Sequence, residues 1–235
     1  MANFGFPTLS VIAPYAPHWR EARSAIGADE LLQNANISAT LAEAVAACTL
    51  VVGTGTLTYR KPEQPVVALP DLAPLVQREL AQGGRIAIVF GPEKHGLTRE
   101  DLALCHLFAE IPTDPKQPSM NLGQAVAVCL YELSSRAFPR AKKSLQLPAS
   151  ARSGKHGPAA PTADLELLAD VVEQAMLAAN YSPSSMREAN RHDLRLLFRR
   201  LSPTKRDTRR ILGLFRRILW RLKQNSNGFE PPGGD

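Results

Sequence analysis

Ile86-Ala87-Ile88-Val89-Phe90-Gly91-Pro92-Glu93-Lys94-His95-Gly96-Leu97 is an apolar run that breaks into a charged loop bracketed by glycines. Thr98 and Asp101 then have the spacing of a capping pair for a helix over Arg99 to Leu104. Phe108 to Ile111 is a second short apolar run, and it enters the irregular polar loop Pro112-Thr113-Asp114-Pro115-Lys116-Gln117-Pro118-Ser119-Met120 before a helix over Asn121 to Ser135. Upstream, Leu9 to Ala13, Ala35 to Ser38 and Leu50 to Gly53 read as further buried strands, with Arg85 to Phe90 as the fourth in chain order. Helices are expected between them over Arg20 to Gln33, Leu41 to Ala47 and Pro70 to Gln82. Strands alternating with helices predict an α/β fold on a parallel sheet. In such sheets ligands bind beyond the carboxyl ends of the strands, which points to the turns after Val52, Phe90 and Ile111.

Past this region the composition changes. Residues 139–162 are rich in Pro, Ala, Ser, Gly and Lys without hydrophobic periodicity, as in a linker. Residues 163–224 predict a small basic α-helical domain of three helices: Ala163 to Asn180, Ser184 to about Leu201, and one opened by Ser202 as N-cap with Pro203 at its first position. Leu194, Leu197, Phe198 and Leu201 form the buried stripe expected of the second, and Ile211, Phe215, Ile218 and Leu222 that of the third. Residues 225–235 read as a disordered tail.

Charge follows the same division. The net charge of +6 arises from 28 Lys+Arg and 22 Asp+Glu, yet residues 1–150 hold 13 of each sign and cancel. Met186 to Gln224 carries 13 Lys/Arg against Glu188, Asp193 and Asp207, a local excess of +10 that calls for a polyanion. Arg195, Arg199, Arg209, Arg210, Arg216 and Arg217 are the expected nucleic-acid contacts. No apolar run approaches the roughly 18 residues of a membrane span, and no basic flank or apolar signal core follows Met1, so a cytoplasmic protein is expected. Cys48, Cys105 and Cys129 are odd in number and far apart among apolar neighbours, which predicts packed, reduced thiols and no metal.

The run from Ile86 to Leu133 resembles the paired C-terminal signatures of the SpoU/TrmH-type RNA ribose methyltransferases of the SPOUT class, through Phe-Gly-x-Glu at 90–93 and Ile-Pro…Ser-x-Asn-Leu at 111–122. Within that class it is most similar to the TrmJ-like tRNA methyltransferases, which have counterparts of AIGADELLQNA, LAEAVAACTLVVGT and ALCHLFAEIPT and a basic helical extension. The resemblance implies a C-terminal trefoil knot that forms an S-adenosylmethionine pocket, and 2′-O-ribose methylation of tRNA, in the anticodon loop, by a homodimer. It places Thr54, Gly55, Thr56, Gly91, Ile111, Pro118, Ser119 and Met120 around the cofactor, and Glu93, Ser119 and Asn121 at the ribose hydroxyl.

Three departures qualify the match. Ser119-Met120-Asn121 stands for the usual Ser-Leu-Asn, a near-isosteric change. The family has an Arg shortly after its Thr-Ser, for which Arg60 is the loosely aligned substitute. Asn3-Phe4-Gly5-Phe6-Pro7 looks like the end of an earlier strand-helix motif bearing Asn and Arg, for which the chain shows no match, with Arg20 and Arg23 the nearest basic residues. A start placed too late is expected, with little activity until the N-terminus is extended. The alternatives are an RNA-binding pseudoenzyme of the same fold and, from another class, a nucleotide-binding module with a DNA-binding tail. The second lacks a G-x-G-x-x-G or P-loop fingerprint.

Overall fold

The computed structural model describes residues 1–14, 19–21, 27–57, 61–137 and 158–227. Six strands, β1 (Ser10–Ile12), β2 (Asn36–Ser38), β3 (Leu50–Gly55), β4 (Val66–Ala68), β5 (Ile86–Val89) and β6 (Leu107–Glu110), pair in parallel throughout. They form not one sheet but two. A four-stranded sheet has the order β4-β6-β3-β5, and among the described residues β1 pairs only with β2. Strand β4 is absent from the sequence expectation, because Pro65 and Pro70 flank four apolar residues and hide them in a turn-like context. It is an edge strand, where Pro65 lends its carbonyl to the Phe108 N–H at 3.0 Å without needing a donor of its own.

Side-chain alternation decides which face of the sheet each residue serves. Val51 and Phe108 point to one side, where α2 (Leu41–Val45) and α4 (Arg99–Ala103) bring Leu41, Val45 and Leu102; Val52 and Ala109 point to the other, where α3 (Leu69–Ala81) and α5 (Leu122–Ala137) bring Leu72, Cys129 and Leu133. Val51, Val52, Leu72 and Phe108 have no exposed surface. Capping boxes fix the starts of α2 (Thr40 with Glu43) and α4 (Thr98 with Asp101). The expected helix over Arg20 to Gln33 is instead a 3-10 turn at Trp19–Glu21 and a short α1 at Asp29–Gln33. Gly27, at φ 74°, takes a left-handed conformation that a continuous helix cannot contain, and Arg23 lies outside the described residues.

Helices α6 (Thr162–Ala178), α7 (Arg187–Leu201, entered by a 3-10 turn) and α8 (Lys205–Asn227) pack around Leu165, Leu168, Val172 and Phe198. The Thr162 hydroxyl and N–H both donate to the Cys48 carbonyl, so the start of α6 is seated on the end of α2. Ser202 is not an N-cap. It ends α7 in a left-handed conformation at φ 43°, and Thr204 opens α8 by accepting the Asp207 N–H at 3.1 Å. The buried stripe of α8 also turns: Thr208 and Leu219 are buried while Ile218 is 38% exposed. Helix α8 reaches Asn227, past the expected start of the tail, and most of the expected linker (139–157), with Arg60, lies outside the described residues.

His106 sits where these two regions meet. Its Nδ1 accepts the Val51 N–H at 3.1 Å, and burial, aided by the nearby Arg199 guanidinium, holds its pKa down at about 3. Since the unfolded chain binds this proton near pH 6.5 and the folded one does not, stability is complete above pH 6.5 and falls as the pH drops toward 3. The expected loss is about 2–3 kcal/mol by pH 4.5. Urea unfolding across that range should show a shallower acid slope for His106→Asn, which keeps an acceptor but does not titrate. An unchanged slope would remove His106 from the account. The three cysteines are buried and unpaired, and burial raises Cys129 to about 11 and Cys105 to about 12.

Candidate functional site

The carboxyl ends of β3, β5 and β6 converge on one cavity of about 320 Å³, within the range of small-molecule sites. Thr54 closes the gap between two of them, its hydroxyl donating to the Val89 carbonyl at 2.8 Å. The loop after β5 folds back on itself, the Gly96 N–H donating to the Pro92 carbonyl at 2.6 Å with Gly96 at a left-handed φ of 61°. Gly91 is pressed against this return: a Cβ there would collide with the backbone of Gly96 and Leu97. Gly55 faces the Phe108 ring in the same way, with room for a Cβ only 3.0 Å from it.

The loop after β6 is shaped by local polar contacts. Asp114 accepts from the Lys116 and Gln117 N–H groups through its side chain and its carbonyl, and the Thr113 hydroxyl donates to the Pro118 carbonyl at 3.2 Å. Asn121 then caps α5, its Oδ1 accepting from the Gly123 N–H at 2.9 Å and from Gln124. That leaves its Nδ2 to donate to Glu93 Oε1 at 3.5 Å, joining the β5 loop to the β6 loop.

Thr54, Gly55, Thr56, Gly91, Glu93, Ile111, Pro118, Ser119 and Met120 all line this cavity, and Asn121 reaches it through Glu93. Leu122, Ala125, Thr113, Lys94 and His95 line it too. The spacing of Leu122 and Ala125, one helical turn apart on the first turn of α5, was the available signal for that pair. Chemically the cavity offers backbone groups, hydroxyls, an apolar side, the Glu93 carboxylate, the Lys94 ammonium and the His95 imidazole.

The basic residues divide. Arg199 is buried, its side chain 2% exposed, and donates to Glu166 of α6 at 2.8 Å; Arg195 donates to the same carboxylate. Arg191 pairs with Asp170 and Arg187 with Glu173, so arginines four residues apart on α7 run antiparallel to acids on α6. Arg195 and Arg199 therefore tie α7 to α6 through Glu166, and Arg199, its side chain 2% exposed, has little surface to offer a phosphate. A segment count of charge includes α7 but omits the acids of α6 that neutralise it. Arg209, Arg210, Arg216 and Arg217 on α8 are exposed, with Arg200, Lys205, Arg206, Arg221 and Lys223. Arg217 lies over the Trp220 ring at 4.4 Å. Arg20 is committed as well, donating to the Leu32 and Ala35 carbonyls near the end of α1. Among the described residues no helix is long and apolar enough to cross a membrane, and no cluster of His, Cys, Asp or Glu could hold a metal.

Three comparisons bear on this geometry. The profile of the SpoU rRNA Methylase family matches residues 1–131. The tRNA (cytidine/uridine-2′-O-)-methyltransferase TrmJ of Klebsiella pneumoniae is 31% identical over 229 residues, covering 97% of this chain and 90% of the relative. The tRNA (cytidine/uridine/adenosine-2′-O-)-methyltransferase TrmJ of Pseudomonas aeruginosa is 37% identical over 134 residues, covering 57% of this chain and 52% of its own length. The crystal structure of TrmJ from Z. mobilis ZM4 superposes with a TM-score of 0.75 at 28% identity, covering 93% of this chain and 89% of that one. Matched by the family model over more than half its length and by a relative over nearly all of it, the chain belongs to the SpoU methylase family.

Proposed function

We propose that the chain transfers a methyl group from S-adenosylmethionine to a ribose 2′-hydroxyl of tRNA, in the anticodon loop, as a cytoplasmic homodimer. The observation that carries this reading is the meeting of Glu93 and Asn121 across two loops at a cavity lined mostly by backbone, hydroxyls and apolar groups, with Lys94 and His95 beside them. Threading of the Gly91–Leu97 and Ile111–Asn121 segments as a trefoil knot is part of the proposal, supported by the contact of Gly91 with the Gly96–Leu97 backbone. We also propose 1–138 as the methyltransferase domain, 163–224 as the tRNA-binding extension, and 139–162 as the linker between them.

The residues present fit the cofactor: Ile111, Met120, Leu122 and Ala125 offer an apolar bed for an adenine, Thr54 to Thr56 and Gly91 allow close backbone approach, and Glu93 suits a cationic sulfonium. When bound, S-adenosylmethionine supplies an electrophilic methyl carbon. Asn121, locked by Gly123 and Gln124, holds the Glu93 carboxylate, which accepts the hydrogen of the ribose hydroxyl; Ser119 lines the same cavity to orient the sugar. Alanine at Asn121 frees that carboxylate, and a loss of kcat of about a hundredfold is expected in a radiolabelled methyl-transfer assay on bulk tRNA. Binding of S-adenosylhomocysteine by wild type without any methyl transfer, in the chain as given and in one extended upstream, would favour the pseudoenzyme.

Helix α8 is proposed as the tRNA surface. Each phosphate contact adds about 0.7–0.9 to the slope of log affinity against log salt. Replacing Arg209, Arg210, Arg216 and Arg217 together with alanine should flatten the slope by about three units. Replacing Arg187 and Arg191, which face the acids of α6, should leave it nearly unchanged. Equal slopes for the two variants in a filter-binding titration would remove α8 as the contact surface.

A further inference from the structure

A second cleft, about 470 Å³, opens on the other side of the Gly91–Leu97 loop. Pro62, Leu97 and Leu102 form an apolar side, and Lys61, Arg99, His95 and His192 stand around it. His95 lines both this cleft and the cavity at the strand ends, so the two are neighbours across a single side chain. His192 belongs to α7, which makes this a site shared by the α/β region and the C-terminal helices.

An anion already sits among these groups. The Glu63 carboxylate accepts from Arg99 Nη2 at 3.1 Å and lies 3.3 Å from His192 Nε2, and both partners hold its pKa below the usual value. Exposed Glu100 lies close enough to feel Arg99 and His192 as well, so Lys61 and Arg99 are balanced while Glu63 remains. Glu63 is half exposed, its side chain at 49%, so it can turn into water; His192, its side chain 16% exposed, then needs another acceptor, which a phosphate oxygen supplies.

We propose that this cleft receives the nucleotide flanking the methylated ribose, with its base on Pro62, Leu97 and Leu102 between the two imidazoles and its phosphate displacing Glu63 from Arg99 and His192. The inference rests on the RNA 2′-hydroxyl reading of the neighbouring cavity. Single-stranded bases stack on flat side chains, histidine included, and a phosphate oxygen takes the same donors as a carboxylate. Two nucleotides joined by one phosphate must occupy adjoining sites, which is the relation that the shared His95 imposes. Displacement of Glu63 also frees His192, so engagement of substrate at the cleft is felt at α7.

The test uses the full chain with S-adenosylhomocysteine present, titrated with uridine 5′-monophosphate while the imidazole resonances are followed by NMR. His192 and His95 should shift and saturate together, while His106, buried under β3, stays fixed. Glu63→Gln removes the competing anion and should tighten nucleotide binding by up to about fivefold, the worth of one exposed ion pair, whereas His192→Ala should weaken it. If Glu63 merely fastens α7 to α4, Glu63→Gln weakens nucleotide binding or leaves it unchanged, and that result overturns the proposal. Unmoved His192 and His95 resonances overturn it as well. Binding of S-adenosylhomocysteine, measured by calorimetry on the same sample, separates the two failures: retained binding confines the error to this cleft, and its absence condemns the reading of the neighbouring cavity.

Discussion

Gly91→Ala is expected to lower affinity for S-adenosylhomocysteine by a hundredfold or more, with a smaller loss of thermal stability. The added Cβ has no free volume, because the backbone of Gly96 and Leu97 occupies it, and neither can yield as a flexible side-chain end would. The loop must therefore open, and with it go Pro92 to Gly96, which form one wall of the cavity. Leu97 anchors the far end of this loop in the core beside β3, so the cost is shared between the site and the fold. Gly213→Ala is the matching control. Nothing lies within 4 Å of that position inside α8, and alanine there should stabilise the protein by about 0.5–1 kcal/mol and leave cofactor affinity alone. Calorimetry on both variants decides the matter, and wild-type affinity in Gly91→Ala would mean that the methyl donor binds elsewhere.

The largest effect on stability is expected at Glu166. This carboxylate, its side chain 17% exposed, receives both Arg195 and Arg199, and Arg199 is almost wholly enclosed. Glu166→Ala strands two guanidinium groups with no counter-charge, one of them without access to water, and should cost about 3–5 kcal/mol in urea unfolding. Arg199→Ala should cost less, about 3 kcal/mol, because Arg195 still neutralises Glu166. The paired replacement Glu166→Leu with Arg199→Met should recover much of the loss, since apolar groups of similar size need no pairing there. Arg200→Ala, one residue on but exposed, should change stability by less than about 0.5 kcal/mol. If all the single variants proved equally mild, the ladder between α6 and α7 would be a surface feature and Arg199 would return as a candidate RNA contact.

The sequence alone determined the parts whose information is local. The apolar runs at Leu50, Ile86 and Phe108, the Thr98–Asp101 cap, and the loops after Val89 and Glu110 depend on neighbours within a few residues, and all of them appear in the structure near their expected bounds. The location of the cavity also followed, because in a parallel sheet the carboxyl ends of the strands lie together whatever the loops contain. Tertiary structure decided what depends on residues far apart in the chain. Arg199 and Glu166 are separated by 33 positions, so no window around Arg199 shows the acid that neutralises it. The split of the strands into two sheets, and β4 as an edge between prolines, depend on pairing partners rather than on propensity. The contact of Asn121 with Glu93 spans 28 residues and arises only when β5 and β6 flank β3 and aim their loops at one point. Periodicity reports which face of an element is apolar. Only the packed chain reports what that face, or a charge beside it, meets.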